Sequence, residues 1–428
     1  GREPTATDHD AAGEAFTRTL PPGVYKVNAR AVIGGEEYAV TDVIPFTISS
    51  LKIFILPTNP NARYPYDTWE IAATNVESAF ELATSGSVVT FGDGTHLIYK
   101  DRAINVPMTI RSQNGAAKTI LDGGRRDIFA PHVSAFFLLN HRQATVEGLT
   151  LANGGNSKDL GISPLGIKAG RLVDCVVTNC YNYELNGTVW LSSDDTSDGS
   201  AAVVSNCVIA GNKMRVKDVK GVGVFADGAG CLVANCEIRN NRGVEYVDAG
   251  NHGALALMNG ATAVNCLVAG NTACATGGLY VEGAKAYNCT VVSNESTMAT
   301  STPSSGGIWA NAASEVVNCL SWGNVSATIT DPADVRLNAG GSADAYRNCA
   351  LPVERGAKCV VVADPCFRNA AKGNYNIRGR SPCTNAAEPM DWMTGATDLK
   401  GRPRTLGEGP DIGCYESTGI YGTAILLK

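Results

Sequence analysis

The sequence predicts an all-β solenoid, a parallel β-helix, and three observations carry that expectation. The first is a phrase that returns through residues 147–349: a small polar residue, Cys, apolar residues at alternate places, and Asn five positions after the Cys. It reads Asn206-Cys207 with Asn212, Asn235-Cys236 with Asn241, Asn265-Cys266 with Asn271, Asn288-Cys289 with Asn294, and Asn318-Cys319 with Asn324. Glu147-Gly148 with Asn153 and Asp174-Cys175 with Cys180 are weaker copies, and Asn348-Cys349 closes the series. The second is the spacing: from Gly148 through Cys349 the phrase advances by 27, 32, 29, 30, 23, 30 and 30 residues, the length of a stacked structural repeat. The third is strict alternation, as in Cys207-Val-Ile209 and Cys266-Leu-Val268, which is the period of a strand with one buried face.

A looser phrase precedes each Cys: Gly223-Val-Phe-Ala, Gly253-Ala-Leu-Ala-Leu257, Gly278-Leu-Tyr-Val281 and Gly307-Ile-Trp-Ala310. Each unit therefore holds at least two short strands, too few for a propeller blade and without the helix of a leucine-rich repeat. Coils stacked about 4.8 Å apart place like over like. Asn212, Asn241, Asn271, Asn294 and Asn324 are thus expected to form a hydrogen-bonded ladder. Cys207, Cys236, Cys266, Cys289 and Cys319 are expected as a column of buried free thiols. Of the 14 cysteines, Cys359, Cys366, Cys383 and Cys414 stand outside the repeat, and a Cys366–Cys383 disulfide is the expectation there. No Cys-x-x-Cys or paired His spacing points to zinc.

The 428 residues would ordinarily imply two or three domains, but a solenoid grows in one dimension. With 47 glycines, 18% charged residues and a net charge of -6, the composition suits a turn-rich β protein and argues against a nucleic-acid partner. No apolar run reaches membrane-spanning length, so no membrane insertion is expected of this segment. The chain opens Gly-Arg-Glu-Pro without Met or a signal peptide; the expectation is a monomeric piece of a longer protein whose export signal and anchor lie outside it.

The repeats resemble the right-handed parallel β-helix, or pectin-lyase-like, superfamily. Tyr66-Asp-Thr-Trp69, Ala72 to Phe80 and Gly86 to Gly94 are similar to the opening segment of these proteins, where a short helix caps the coil. Ala363-Asp-Pro-Cys-Phe367, Gly373-Asn-Tyr-Asn-Ile377, Ser381-Pro-Cys383, Asp398-Leu-Lys-Gly-Arg-Pro-Arg404 and Asp411-Ile-Gly-Cys-Tyr-Glu416 resemble the ending of the bacterial surface family called choice-of-anchor Q. The resemblance covers roughly residues 66–416. It implies a fold and a secreted or cell-surface setting, while the superfamily hosts lyases, hydrolases, epimerases, adhesins and tailspikes.

In chain order, residues 1–13 read as a disordered tail. Residues 14–50 read as the last strands of an immunoglobulin-like module packed on the coil, with Gly34-Gly35 turning a hairpin over 23–48. Residues 51–65 read as a linker holding one apolar run, Leu51 to Leu56. The β-helix is expected over 66–349. Within it, Asn75 should N-cap a helix through Leu82 with Glu77 in its first turn. Val88 to Phe91, Leu97 to Tyr99, Met108 to Arg111, Thr119 to Leu121 and Phe136 to Leu139 supply the early coils. Residues 350–418 are expected as a loop-rich cap over the far end, and 419–428 as a tail.

Function must lie in what departs from the repeat, because the repeat only builds the rod. At one corner Asp198-Gly199, Asp227-Gly228, Asn259-Gly260, Glu282-Gly283 and Asn311-Ala312 are equivalent, with Asp194 and Asp195 in the insertion beside them. Such carboxylates could bind Ca2+ or hydrolyse a glycoside, although Asp-Gly and Asn-Gly are also ordinary turn dipeptides. At the other corner His252 follows Glu245, Tyr246 and Asp248, near Lys213, Arg215, Lys217 and Lys220. That set could neutralise a uronate and abstract its α-proton, or form a solvated basic loop. Tyr181, Tyr183, Trp190, Tyr246, Tyr280 and Trp309 could stack on sugar rings or pack. The partner expected is a polysaccharide or glycan, held by an adhesin-like binding module; a polysaccharide lyase or glycoside hydrolase and a purely structural rod are the alternatives.

Overall fold

The structure, a computed structural model, describes residues 51–418 apart from 125–134, 156–162, 183–186, 194–200, 215–219, 244–251, 298–304, 327–334 and 338–342. It also gives the backbone of four strands between 23 and 48. The fold is a parallel β-helix. In one coil the chain runs through Leu255–Met258 in a first sheet, turns at Asn259-Gly260, and passes Thr262–Val264 in a second. It bends at Asn265 and crosses Leu267–Ala269 in a third sheet, then turns again at Gly270-Asn271 into the two-residue strand Thr272–Ala273. Each of these strands pairs in parallel with its equivalents above and below, and among the described residues the third sheet stacks eleven strands. The core is the coil interior. In the first sheet Val189, Leu191, Val224, Ala226, Leu255, Leu257, Leu279, Val281, Ile308 and Ala310 are all fully buried.

Two corners fix the path. At the first, Asp174, Asn206, Asn235, Asn265, Asn288, Asn318 and Asn348 adopt left-handed backbone with φ near +50°, a conformation Asn and Asp tolerate better than most residues. The Cys that follows points inward, and its thiol donates to a carbonyl one rung below, as from Cys236 to Val204 (3.6 Å) and Cys319 to Ala286 (3.5 Å). All fourteen cysteines are free. Burial in the apolar column pushes the Cys207, Cys266 and Cys319 thiols up, so they stay protonated.

At the second corner stands the asparagine ladder. The Nδ2 of Asn212 donates to Asn241 Oδ1 (2.9 Å), Asn241 to Asn271 (3.0 Å), Asn271 to Asn294 (2.9 Å) and Asn294 to Asn324 (2.9 Å). Each amide also donates to a carbonyl of the rung below, and each Oδ1 accepts a backbone N–H from it, as Asn271 Oδ1 does from Asn241 (2.9 Å). Side chains otherwise costly to bury are thereby satisfied. In the earliest of these rungs Cys180 takes the equivalent place and its N–H donates to Asn212 Oδ1.

The N-terminal end is plugged by the helix Val76–Phe80. Asn75 Oδ1 accepts from Ser78 N (3.0 Å), Val76, Ala79 and Phe80 are buried, and Phe80 meets Phe137 at 6.3 Å. Glu77 pairs with Arg102, whose guanidinium lies over Phe80. One boundary moves. Lys52–Ile55, expected in a linker, pairs in parallel with Ser87–Phe91 and buries Ile53 and Ile55, so the coil starts before residue 66. Upstream, Gly23–Val27 pairs antiparallel with Ile44–Ile48 and Arg30–Ile33 with Glu36–Ala39. The expected packing of these strands on the coil, and the tails 1–13 and 419–428, lie outside the described residues.

The C-terminal part departs furthest from expectation. Val360–Val361 adds a last strand to the third sheet and Cys359 packs on the interior core at that end, but from Phe367 onward the chain turns back along the flank. This strap, with Val362 just before it, buries Tyr375, Ile377, Cys383, Ile412, Cys414 and Tyr415 against the outward side chains Leu267, Ala269, Val292 and Leu320 of the third sheet. Strands such as Leu267-Val-Ala269 are apolar on both faces because both faces are covered. The left-handed asparagines hold the strap: Asn265 Nδ2 donates to Thr397 O (3.0 Å), Asn288 to Asp411 O (3.2 Å), Asn318 to Glu388 O (2.9 Å) and Asn348 to Ala386 O (2.7 Å). No Cys366–Cys383 disulfide forms: Cys383 is buried in the strap core, whereas half-buried Cys366 donates to its neighbour Asp364.

Inside the strap, Arg404 is fully buried. It pairs with Glu416 (3.1 Å) and donates to the carbonyls of Gly413 and Asp411. Asp398 accepts the Lys400, Arg402 and Glu416 amides and pairs with Arg402 (2.6 Å). The motif over 398–416 is thus an ionic lock. Arg404→Met leaves Glu416 buried without its partner and is expected to cost about 3–5 kcal/mol in denaturant unfolding. Asn271→Ala strips partners from buried amides on two neighbouring rungs and is expected to cost about 3 kcal/mol by the same measurement.

Candidate functional site

The outward face of the first sheet carries a column unlike the rest of the surface. Register places Leu138, Gly166, Trp190, Phe225, Ala256, Tyr280 and Trp309 on successive rungs, side by side on the face away from the core. Nothing inside the coil requires aromatic residues there. Tyr280 and Trp309 stack in parallel at 4.3 Å, and the His252 ring lies 4.6 Å from Tyr280. Phe225 and Tyr280 are buried by these neighbours, while Trp190 and Trp309 stay half-buried.

Two residues along each strand runs a row that is polar except for Met258, with Ser192, Asp227, Met258 and Glu282 in register and the turn residues Asn259 and Asn311 beside it. Asn259 Nδ2 donates to Asp227 Oδ1 (2.6 Å), and Asn311 Oδ1 accepts from Gly283 N (3.0 Å). The Tyr280 hydroxyl donates to Glu282 Oε2 (2.7 Å), and Lys220 Nζ lies 3.7 Å from the same oxygen. Burial, with the Glu282 carboxylate next, raises the Tyr280 hydroxyl well above the ordinary tyrosine range, so it remains a donor. Lys220, His252, Thr276 and Ser305 form a line of single bridges at the corner leading into the column.

The expected site residues divide accordingly. Asp227, Glu282, Trp190 and His252 meet on or beside one face. Lys213 does not: it is exposed on the short strand Lys213–Met214, between Tyr181 and Arg242 of adjacent rungs. Asp194, Asp195, Asp198, Arg215, Lys217, Tyr183, Glu245, Tyr246 and Asp248 lie outside the described residues. Asp227 and Glu282 sit two rungs apart, roughly 10 Å along the stack, and each carboxylate is engaged by a neighbour. Among the described residues no three His, Cys, Asp or Glu side chains gather as metal ligands. Phe225 belongs to the column and was not among the candidates, although Gly223-Val-Phe-Ala is the same phrase as Gly278-Leu-Tyr-Val281.

The chain is a parallel β-helix with an aromatic outer face. No family model and no curated protein matches it. Similar solved structures include the crystal structure of pectate lyase Pel9A, 11% identical, covering 86% of this chain and 97% of that one with a TM-score of 0.48. They also include a rhamnogalacturonan lyase, 10% identical, covering 74% of this chain and 91% of that one, TM-score 0.38. Among the described residues no helix is long and apolar enough to cross a membrane.

If the polar row builds turns, Asp227→Asn and Glu282→Gln each shift unfolding stability by less than about 1 kcal/mol. Tyr280→Ala, which opens the packed column, is expected to cost about 3–4 kcal/mol in the same denaturant series.

Proposed function

We propose that this chain is a carbohydrate-binding, adhesin-like β-helix module of an exported or cell-surface protein, monomeric, of the kind its C-terminal ending resembles. The observation that carries the reading is the aromatic column, with Trp190 and Trp309 half-buried towards its two ends and a polar row of Asp227, Asn259 and Glu282 alongside. Aromatic faces cover the C–H faces of sugar rings while carboxylates and amides take their hydroxyls. A rod needs neither feature. A depolymerising enzyme needs an acid and a base aimed at one bond, whereas Asp227 and Glu282 are spread along the stack and committed to Asn259, Tyr280 and Lys220.

The test is a glycan array probed with the full chain, followed by titration of the best ligand against Trp190→Ala and Trp309→Ala. Binding is expected, weakened about tenfold or more by each substitution, with circular dichroism showing each variant still folded at the titration temperature. An array without binding would return the chain to the structural rod. Accumulation of unsaturated oligosaccharide from uronate polymers would make it a lyase.

A further inference from the structure

Where the strap leaves the coil's third sheet there is a cavity of about 380 Å³, within the size range of small-ligand sites. Its floor is the outward side of two rungs, Glu237–Arg239 and Leu267–Ala269. The strap supplies the walls. On one side the hairpin joining Phe367–Asn369 to Asn374–Ile377 brings Lys372 to its tip, in a turn that Asn369 caps from Oδ1 and Gly373 closes in left-handed backbone. On the other, the Asp398-centred turn presents Lys400. Tyr375 and Tyr415, both largely buried, line the same space.

The charge in this cavity runs against the rest of the chain. Arg239, Lys372 and Lys400 face one carboxylate, Glu237, on a protein whose net charge is -6. Glu237 lies between two of them, with Arg239 Nε at 3.2 Å and Lys400 Nζ at 3.6 Å, which fixes both cations at the rim. Lys372 has no ion pair among the described residues. Three asparagines, Asn240, Asn374 and Asn376, line the same volume, with Asn376 Nδ2 donating to Asn374 Oδ1 (2.9 Å). Asn376 is itself positioned by Arg402 (2.8 Å).

We infer that this cleft binds a carboxylate-bearing sugar, a uronic acid unit at the end or along the edge of an acidic glycan. The cations take the carboxylate, the amides and Glu237 take ring hydroxyls, and the tyrosines bound the apolar face. The ligand class rests on the carbohydrate-binding reading above, but the site is a different one, on another sheet, made by coil and strap together. It gives the strap a purpose beyond covering the third sheet.

The experiment titrates the full chain with D-glucuronate and D-galacturonate, with D-galactose and inorganic sulfate as comparison probes, by calorimetry or ligand-observed NMR. One uronate is expected to bind saturably and at least about tenfold more tightly than galactose or sulfate. The double variant Arg239→Ala with Lys372→Ala, both exposed in the folded chain, is expected to lose about tenfold or more without a change in unfolding midpoint. Lys400→Met serves as a second variant should the double variant fold poorly. The inference is overturned if no uronate saturates, if the variants bind like the parent, or if sulfate binds as tightly as the uronate. Trp190→Ala and Trp309→Ala separate the two sites. A glycan lost with the tryptophans and kept by Arg239→Ala with Lys372→Ala sinks the cleft alone. A uronate bound in the cleft while both tryptophan variants hold array glycans like the parent leaves the cleft standing and sinks the aromatic column.

Discussion

The constraint on which this molecule depends is the burial of primary amides at a corner of every later coil. An asparagine inside an apolar coil is tolerable only if both its N–H bonds and its carbonyl are used. Here they are, because the rung above offers an oxygen and the rung below offers a carbonyl and an N–H. Slip one coil by a residue and an amide faces hydrocarbon while a Val or Ile faces water. The ladder thus specifies register as well as adding stability, and register decides which side chains are left pointing outward.

Much of this was legible because the repeat imposes one requirement at each equivalent place. The Asn five after each Cys, the inward Cys and the alternating strands all recur for a physical reason, and recurrence is visible in a single sequence. The residue before each Cys was visible too, but its two roles were not. Asn235, Asn265, Asn288, Asn318 and Asn348 accept left-handed backbone, and four of them also bind the strap. A contact between Asn265 and Thr397 spans the length of the late coils and leaves no local pattern. A fainter signal did exist, and it corrects the alternation expected at Cys266-Leu-Val268: Leu267-Val-Ala269 and Thr290-Val-Val292 are buried on both faces and do not alternate. Leu51 to Leu56 is similar, since Ile53 and Ile55 alternate like any rung but stand apart from the repeat that would have claimed them.

The candidate surface was less legible than the rod. Aspartate before glycine serves turns and sites equally well, and only geometry separates Asp227 bound to Asn259 from a carboxylate aimed at a substrate. The aromatic column depended on register: Trp190, Phe225, Tyr280 and Trp309 lie far apart in sequence and adjoin only once the rungs are stacked. The cleft beneath the strap required still more, because its cations come from residues 239, 372 and 400. Solenoid and strap divide the labour, one setting a periodic face and the other an irregular pocket beside it.

Amide hydrogen exchange at the second corner tests the central claim most directly. The backbone N–H groups of Asn212, Asn241, Asn271 and Asn294 each donate to the side-chain oxygen of the next rung. Though they sit at bends, they should be as slow to exchange as amides in the strands on either side. Exchange at the rate of open loops, with the strands alone protected, would mean that the amides do not stack and that something else sets the register.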